Sequence, residues 1–177
     1  MTRQAADARL AASAEAAVDK TIEAINAGLD LILGWADRAE VCVPAVSAWS
    51  VGLQLEHALL VSEGIASILE GRAPATDTGI NMIGRIVLVT SMVPRGKGQA
   101  PDAFRPEAPR IDSHPQRIAA LRERLAAVDA DLPALRADPR RFAHPAFGGL
   151  TRSQWLKLMR LHQDHHAAIV RDILAKQ

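Results

Sequence analysis

Aromatic residues and cysteine are scarce in this chain. It has three phenylalanines, three tryptophans and no tyrosine, and its only cysteine is Cys42. A single cysteine excludes both an internal disulfide framework and a structural zinc site built from cysteine pairs. Because strands favour aromatic and β-branched residues, a sequence that is poor in aromatics and rich in alanine and leucine predicts helices over a sheet.

The sequence also lacks a long apolar run and an excess of either charge. Its 21 Lys and Arg and 20 Asp and Glu leave a formal net charge of +1, so no basic face large enough to neutralise phosphates is evident. No stretch approaches the roughly 18 apolar residues of a membrane span, and no secretory signal is visible. We therefore expect a cytoplasmic protein with no nucleic-acid or membrane partner, forming a single domain over residues 1–177.

Apolar residues recur at helical spacing over most of the chain. The spacing predicts helices over about residues 2–39, 47–70, 115–132 and 151–176. Residues 80–93 are ambiguous, because the run from Ile86 to Thr90 is also good strand material. We favour a short helix there, since a lone strand would leave its backbone groups without partners.

Irregular segments separate these helices. The longest runs from Pro94 to Pro115, and His144 to Gly149 reads as a second loop before the last helix. Small polar residues at the predicted helix starts can act as N-caps. For the second, third and last helices these candidates are, in order, Ser47 or Ser50, Asp77 or Thr78, and Thr151 or Ser153.

Two histidines lie one turn apart on the apolar face of the last helix. At about 100° per residue, His162 and His166 project in the same direction as Trp155. Burying two imidazoles without partners would cost a few kcal/mol, and a metal ion is the simplest compensation. His165 lies at the edge of this face, and a modest rotation of the helix would make it the ligand in place of His166.

A third histidine, His57, is centred on the apolar face of the second helix. Three neutral imidazoles around one divalent ion leave a coordination position open, as in catalytic sites. Such a set suits Zn, Ni, Fe or Mn comparably, so the metal is not distinguished. Gln54, one turn before His57, can orient a ligand ring or can be an ordinary helix-surface residue. Without a metal, the alternative is three core histidines bonded to backbone carbonyls or buried water.

This arrangement resembles the DinB-like (YfiT-like) metalloprotein superfamily, in which an early-helix histidine and a late His-x-x-x-His pair bind one divalent metal. The matching residues are His57, His162 and His166, and the Trp49-Ser50 pair is similar to the entry to that family's second helix. Residues 93–101 and 144–155 resemble loops of an uncharacterised branch. The resemblance implies an all-α, four-helix bundle with an additional short helix and long connecting loops.

The resemblance further implies a metal-dependent enzyme acting on a small-molecule substrate. Its reaction would be a thiol-dependent transfer or isomerisation, or a hydrolysis through metal-bound water. Family members use low-molecular-weight thiols, whose carboxylates Arg95 and Lys97 would suit, and His144 could reach the mouth of the pocket. The alternatives are solvated loop charges for Arg95 and Lys97 and a backbone-bonded loop histidine for His144.

No catalytic residue is assigned from the sequence. Glu56 and Glu63 point away from the direction of His57 on the helical wheel, so a carboxylate general base is missing from the core-facing positions. The alternative function is therefore a non-catalytic metal- or ligand-binding stress-response protein. A homodimer is compatible with such a bundle, although no apolar stripe in the sequence demands one.

Overall fold

The computed structural model describes residues 19–93 and 100–177. Six α-helices and three short strands follow one another in these ranges: α1 (Lys20–Gly34), α2 (Val51–Leu69), β1 (Ala75–Thr76), α3 (Met82–Thr90), α4 (His114–Ala130), α5 (Leu132–Ala137), β2 (Arg141–His144), β3 (Gly148–Thr151) and α6 (Arg152–Leu174). Single turns of 3₁₀ helix occur at Ala36–Arg38, Asp102–Phe104 and Ile111–Ser113.

Four long helices enclose one apolar core. Helix α6 packs against both α1 and α2, and these two helices also pack against α4. Ile25, Leu121 and Val170, which the helical spacing placed on apolar faces, are buried. Leu59 of α2 is buried too, although it lies outside the face predicted around His57. Each such aliphatic side chain contributes about 1.5–3 kcal/mol when it is fully removed from water. This packing fixes α2 and α6, which carry the three candidate histidines, side by side.

The helix starts are set by local side-chain caps. Ser50 Oγ accepts a hydrogen bond from the Leu53 amide, so Ser50 is the N-cap of α2. Thr151 caps α6 in a capping box: its hydroxyl accepts from the Gln154 amide, and Gln154 Oε1 accepts from the Thr151 amide at 2.9 Å. Both residues were among the predicted caps, and these two predictions are confirmed.

The predicted cap of the third helix is wrong. Asn81 takes this role in place of Asp77 or Thr78, and its Oδ1 accepts a hydrogen bond from the Gly84 amide at 2.9 Å. The helix starts this late because the preceding backbone is already paired, with the Gly79 carbonyl accepting from the Gly149 amide. The ambiguous segment is nevertheless helical over Met82–Thr90.

A small sheet departs from the predicted all-α class. Strands β1, β2 and β3 pair antiparallel in that order, so residues 144–149 form a hairpin and not an irregular loop. The strands have two to four residues, too few to show an alternating pattern in the sequence. Glycine is required at the turn: Gly148 has φ +76°, and a Cβ at Gly149 would lie 2.0 Å from the Thr78 carbonyl oxygen.

Other boundaries also differ from the sequence prediction. The first helix ends at Gly34 and not near residue 39, and residues 2–18 of the predicted helix lie outside the described residues. Helix α4 ends at Ala130, after which Pro133 lies in the first turn of the separate helix α5. Cys42, for which burial as a small packing residue is the ordinary expectation, is instead exposed on the surface. Within the described ranges, no helix is both long and apolar enough to cross a bilayer.

Candidate metal centre

His57 of α2 and His162 and His166 of α6 converge on one point. The Nε2 atom of His162 lies 3.2 Å from Nε2 of His57 and 3.2 Å from Nε2 of His166. One ring nitrogen from each histidine lies within 4.8 Å of the others, so the three could hold a metal ion. The structure thus brings together the three residues predicted as ligands, although they come from parts of the chain 105 residues apart.

The Phe104 backbone fixes the tautomer of His57. His57 Nδ1 lies 2.6 Å from the Phe104 carbonyl oxygen, which can only accept a hydrogen bond, so Nδ1 carries the proton. In the neutral ring, Nε2 then has a free lone pair, and this is the atom that faces His162. The ring of Trp49 contacts His57 edge-on and covers it further.

Gln54 fixes the tautomer of His166 in the same way. His166 Nδ1 donates to Gln54 Oε1 at 2.6 Å, and Gln54 Nε2 donates to the Ser47 hydroxyl at 2.9 Å. Because Gln54 Nε2 is bonded to the Ser47 hydroxyl, the oxygen of the Gln54 side-chain amide is the atom that faces His166. Gln54 is buried, so it is not a helix-surface residue, and it orients His166 on the opposite helix.

His162 differs from the other two histidines in its second ring nitrogen. Its Nδ1 is buried and has no hydrogen-bond partner among the described residues. Its Nε2 atom is therefore the only part of the ring that has partners there, and both partners are imidazoles. An ion held by the Nε2 atoms would not contact this nitrogen, and no described residue fixes the tautomer of His162.

Burial keeps all three rings neutral. It lowers the pKa of His57 from its ordinary value, against a smaller opposing effect of the hydrogen bond to Phe104. Burial, and then the neighbouring imidazoles, hold the pKa of both His162 and His166 well below the ordinary value. Neutral imidazoles are the form that binds metals, so the free site is prepared for a cation at neutral pH.

The spacing of the nitrogens suits a tetrahedral ion. Ligand nitrogens about 2.0–2.1 Å from a zinc-sized ion lie about 3.3 Å from one another. The two Nε2 separations of 3.2 Å match this value. Three nitrogen donors leave room for at least one exchangeable ligand, because closed structural sites use four protein ligands.

His165 does not join the three ligands. Its ring lies edge-on to that of His166, with ring centroids 5.1 Å apart, and it is not part of the converging cluster. The helix is thus oriented as the predicted apolar face requires, and His166 faces the site.

His144 lies at the end of β2 with its ring stacked on Phe147 at 4.2 Å and near Trp155. Its Nδ1 accepts hydrogen bonds from the amides of Ala146 and Phe147, and burial lowers its pKa to about 4. Nδ1 of His144 is therefore bonded to the backbone, as the alternative for this residue proposed. Its role in substrate binding remains a prediction. Arg95 and Lys97, the other predicted substrate contacts, lie outside the described residues.

Glu56 is buried next to the candidate metal centre, and the sequence analysis did not predict its structural role. Its carboxylate accepts hydrogen bonds from Arg110, His114 and Arg117, each at 2.8 Å at the closest. Burial opposes ionisation of this group, but the three side chains outweigh it and lower the pKa of Glu56 to about 2. Arg110 is therefore an ion-pair partner and not an ordinary solvated loop charge.

These contacts attach the segment 100–113 to α2. The backbone amide of Arg110 also donates a hydrogen bond to the Glu56 carboxylate. Pro109 lies against Gly52 of the helix, and the Phe104 ring lies against Gly64. The segment is held at Phe104 itself, whose carbonyl orients His57, and again at Pro109 and Arg110. The sequence offered one signal for this: α2 is apolar almost all round, and a carboxylate within such a helix must be paired. A backbone carbonyl leaves no side-chain signal at all.

Comparison with known proteins identifies the family. A model described as "Protein of unknown function (DUF1569)" matches residues 41–172, more than half of the chain and a range that includes every residue of the site. The chain belongs to the DUF1569 family. No curated protein and no solved structure matches it.

The assignment to the DinB-like superfamily is accordingly wrong, because the family model that matches is DUF1569. The physical reason is that helix geometry places residues four apart on the same face, so any two packed helices can form a three-imidazole site from one histidine and a His-x-x-x-His pair. The pattern therefore indicates a type of site without specifying a family. The three histidines stand on their own geometry in the DUF1569 protein.

Proposed function

We propose that this DUF1569 protein is a divalent-metal-dependent enzyme that acts on a small molecule. The observation that supports it is the convergence of three Nε2 atoms from neutral histidines, two of them with tautomers fixed by Phe104 and Gln54. None of the three donors is anionic, so the full charge of the ion would act on an incoming ligand. When bound, such an ion lowers the pKa of a water or a thiol that coordinates it.

The protein's own groups define the rest of the chemistry. His57, His162 and His166 would hold the ion, while Phe104 and Gln54 keep two of the rings in place. Glu56 is bound to three cationic or imidazole groups and is unavailable as a general base. This favours reactions in which the nucleophile, water or a low-molecular-weight thiol, is activated without a protein carboxylate.

Metal analysis tests the first half of the proposal. We expect about one equivalent of divalent metal in protein that is purified without a metal-affinity tag, and a loss of most of it in each of His57→Ala, His162→Ala and His166→Ala. His165→Ala is the matched control, because it removes a neighbouring imidazole on the same helix and should retain the metal. Full metal content in all three ligand variants would refute the site.

Activity assays test the second half. Metal-loaded protein is assayed with low-molecular-weight thiols plus electrophilic substrates, and separately with ester and amide substrates, before and after chelation. Turnover that is lost on chelation and absent from His162→Ala supports an enzyme. Bound metal without turnover under any of these conditions favours the alternative, a non-catalytic metal- or ligand-binding stress-response protein.

A further inference from the structure

Helix α3 is apolar on the side that faces away from the protein. Five large side chains are exposed on this helix or directly after it, with 55% to 83% of their surfaces accessible to solvent: Met82, Ile83, Ile86 and Val89 of α3, and Met92, two residues beyond its end. We call these five residues the α3 patch. They include every large exposed hydrophobic side chain found in the described part of the chain.

The patch is regular, and the helix that carries it is well anchored. At about 100° per residue, Met82, Ile86 and Val89 project within about 60° of one another, opposite to the buried Val87 and Leu88. Asn81 caps the helix and also donates to the Ala146 carbonyl, and Lys157 Nζ donates to the Leu88 carbonyl at 2.6 Å. The exposed face is therefore a fixed surface.

A helix that is apolar on both sides belongs in an interior. Five side chains at these exposures present roughly 600 Å², at the upper limit for the largest apolar patch on a typical monomer and near the ~800 Å² that each partner contributes to a standard interface. The area thus suits a protein partner that covers the whole helix.

The charge on the helix selects the kind of partner. Arg85 is the only charged residue of α3, and it lies at the edge of the face. A helix that lies on a membrane surface carries many Lys and Arg residues on its polar side, and a charged partner would need complementary charges. A face that is apolar and nearly uncharged is instead complementary to itself, as a twofold interface requires.

We propose that α3 is the interface of a homodimer, in which the α3 patches of two copies pack against each other about a twofold axis. The two Arg85 side chains then lie at the rims of the interface and remain in water. The metal centre lies between α2 and α6, so the dimer does not depend on the proposed function.

The test is the oligomeric state of the full chain, measured by light scattering after size exclusion and by sedimentation across the micromolar range. We expect twice the 19.0 kDa of one chain. Ile86→Glu and Val89→Glu each place a carboxylate in the interface and should raise the dimer dissociation constant about 100-fold or more. Ile86→Ala, which adds no charge, should raise it about tenfold.

Ala127→Glu is the matched control, since it adds a carboxylate at an exposed position of α4, away from the patch, and should leave the dimer intact. Circular dichroism checks that every variant keeps the helical content of the wild type. A wild-type chain that is monomeric throughout overturns the proposal, as does a dimer that persists in both glutamate variants. Binding of the monomer to lipid vesicles through the patch would likewise overturn it in favour of a membrane surface.

Discussion

Gln54 shows how one side chain of the opposite helix orients a proposed metal ligand, His166. It accepts the Nδ1 proton of His166 and is itself oriented by the Ser47 hydroxyl. His166 Nε2 is thereby left as a lone pair directed at the site. Groups of this kind, one bond removed from a metal, usually contribute a factor of 10–100 to metal affinity.

Replacing Gln54 by alanine should therefore weaken metal binding about 10- to 100-fold without removing any ligand. The comparison is Ser47→Ala, which keeps the hydrogen bond between Gln54 and His166 and removes only the hydroxyl that orients Gln54. We expect a smaller loss of metal affinity for this variant. Titration of the metal-free protein with a competing chromophoric chelator measures both. Equal affinities for the wild type and Gln54→Ala would show that the bond does not order the ring.

The lowered histidine pKa values make the metal-free protein sensitive to mild acid. Above pH 6.5 these rings are neutral in the folded and unfolded chain and contribute nothing to the difference. Below pH 6.5 the unfolded chain binds protons that the folded chain does not. Stability is therefore lost as the pH falls toward the lowered folded pKa values of His57, His162 and His166, and His144, whose pKa is about 4, contributes in the same range. The slope approaches about 1.4 kcal/mol per pH unit for a histidine whose folded pKa lies well below the ordinary value, as it does for His162 and His166.

Urea unfolding between pH 8 and pH 5, with a chelator present, measures this dependence. The window excludes Glu56, whose stabilisation is present above pH 4.5 and is lost only as the pH falls from there to about 2. In His162→Ala, the free energy of unfolding should depend less steeply on pH, because one of the contributing histidines is absent. A free energy of unfolding that is constant from pH 8 to pH 5 would contradict the burial of neutral rings.

At the scale of elements, the segment 100–113 and helix α2 act as a unit. The Glu56 carboxylate is almost fully buried, and its partners come from this segment and from the start of α4. Removing one partner of a buried ion pair leaves the others without compensation, which costs far more than losing a surface pair.

Glu56→Gln should lower the free energy of unfolding of the metal-free protein by about 3–5 kcal/mol. Glu63→Gln is the control, since Glu63 also pairs with Arg117 but keeps 27% of its side chain exposed. There we expect a loss of about 1 kcal/mol or less. Denaturant unfolding measures the free energy of unfolding of both variants. Equal decreases in Glu56→Gln and Glu63→Gln would show that the burial of Glu56 has no energetic consequence.

The contact of Phe104 with α2 leads to a separate prediction for metal binding. A methyl group at Gly64 would lie 2.7 Å from Phe104 Cε1, so Gly64→Ala displaces the ring and with it the carbonyl that orients His57. We expect metal affinity to fall about tenfold. Gly34→Ala is the matched control, because no atom lies within 4 Å of a Cβ placed there, and its metal affinity should be that of the wild type.

The elements also show what a single sequence can and cannot predict. Helices α1, α2, α4 and α6 followed from apolar spacing, and the shared direction of His162 and His166 followed from helix geometry. The hairpin at 141–151 did not, because its strands are shorter than the repeats that would indicate them. The pairing of Glu56 and the Phe104 carbonyl depend on contacts between segments about 50 residues apart, and spacing along one helix carries no information about these.

For the whole molecule, a bound ion would join α2 to α6. A ligand that binds only the folded chain stabilises it by about 4 kcal/mol at a concentration 1,000 times its dissociation constant. The melting temperature should therefore rise with added metal, return to its starting value after chelation, and stay unchanged in His162→Ala. If added metal does not change the melting temperature of the wild type, or raises that of His162→Ala equally, then no metal that stabilises the fold binds at these three histidines.

The 105 residues between His57 and His162 also determine when the site can first exist. At the usual rates of synthesis, the ribosome adds His162 about 5–20 s after His57. A nascent chain could not retain an ion at this centre during that interval, so any metal would be bound only after His162 has been added. Since three imidazoles accept several divalent metals, the identity of the occupant is then decided by which ion the cell supplies to the finished protein.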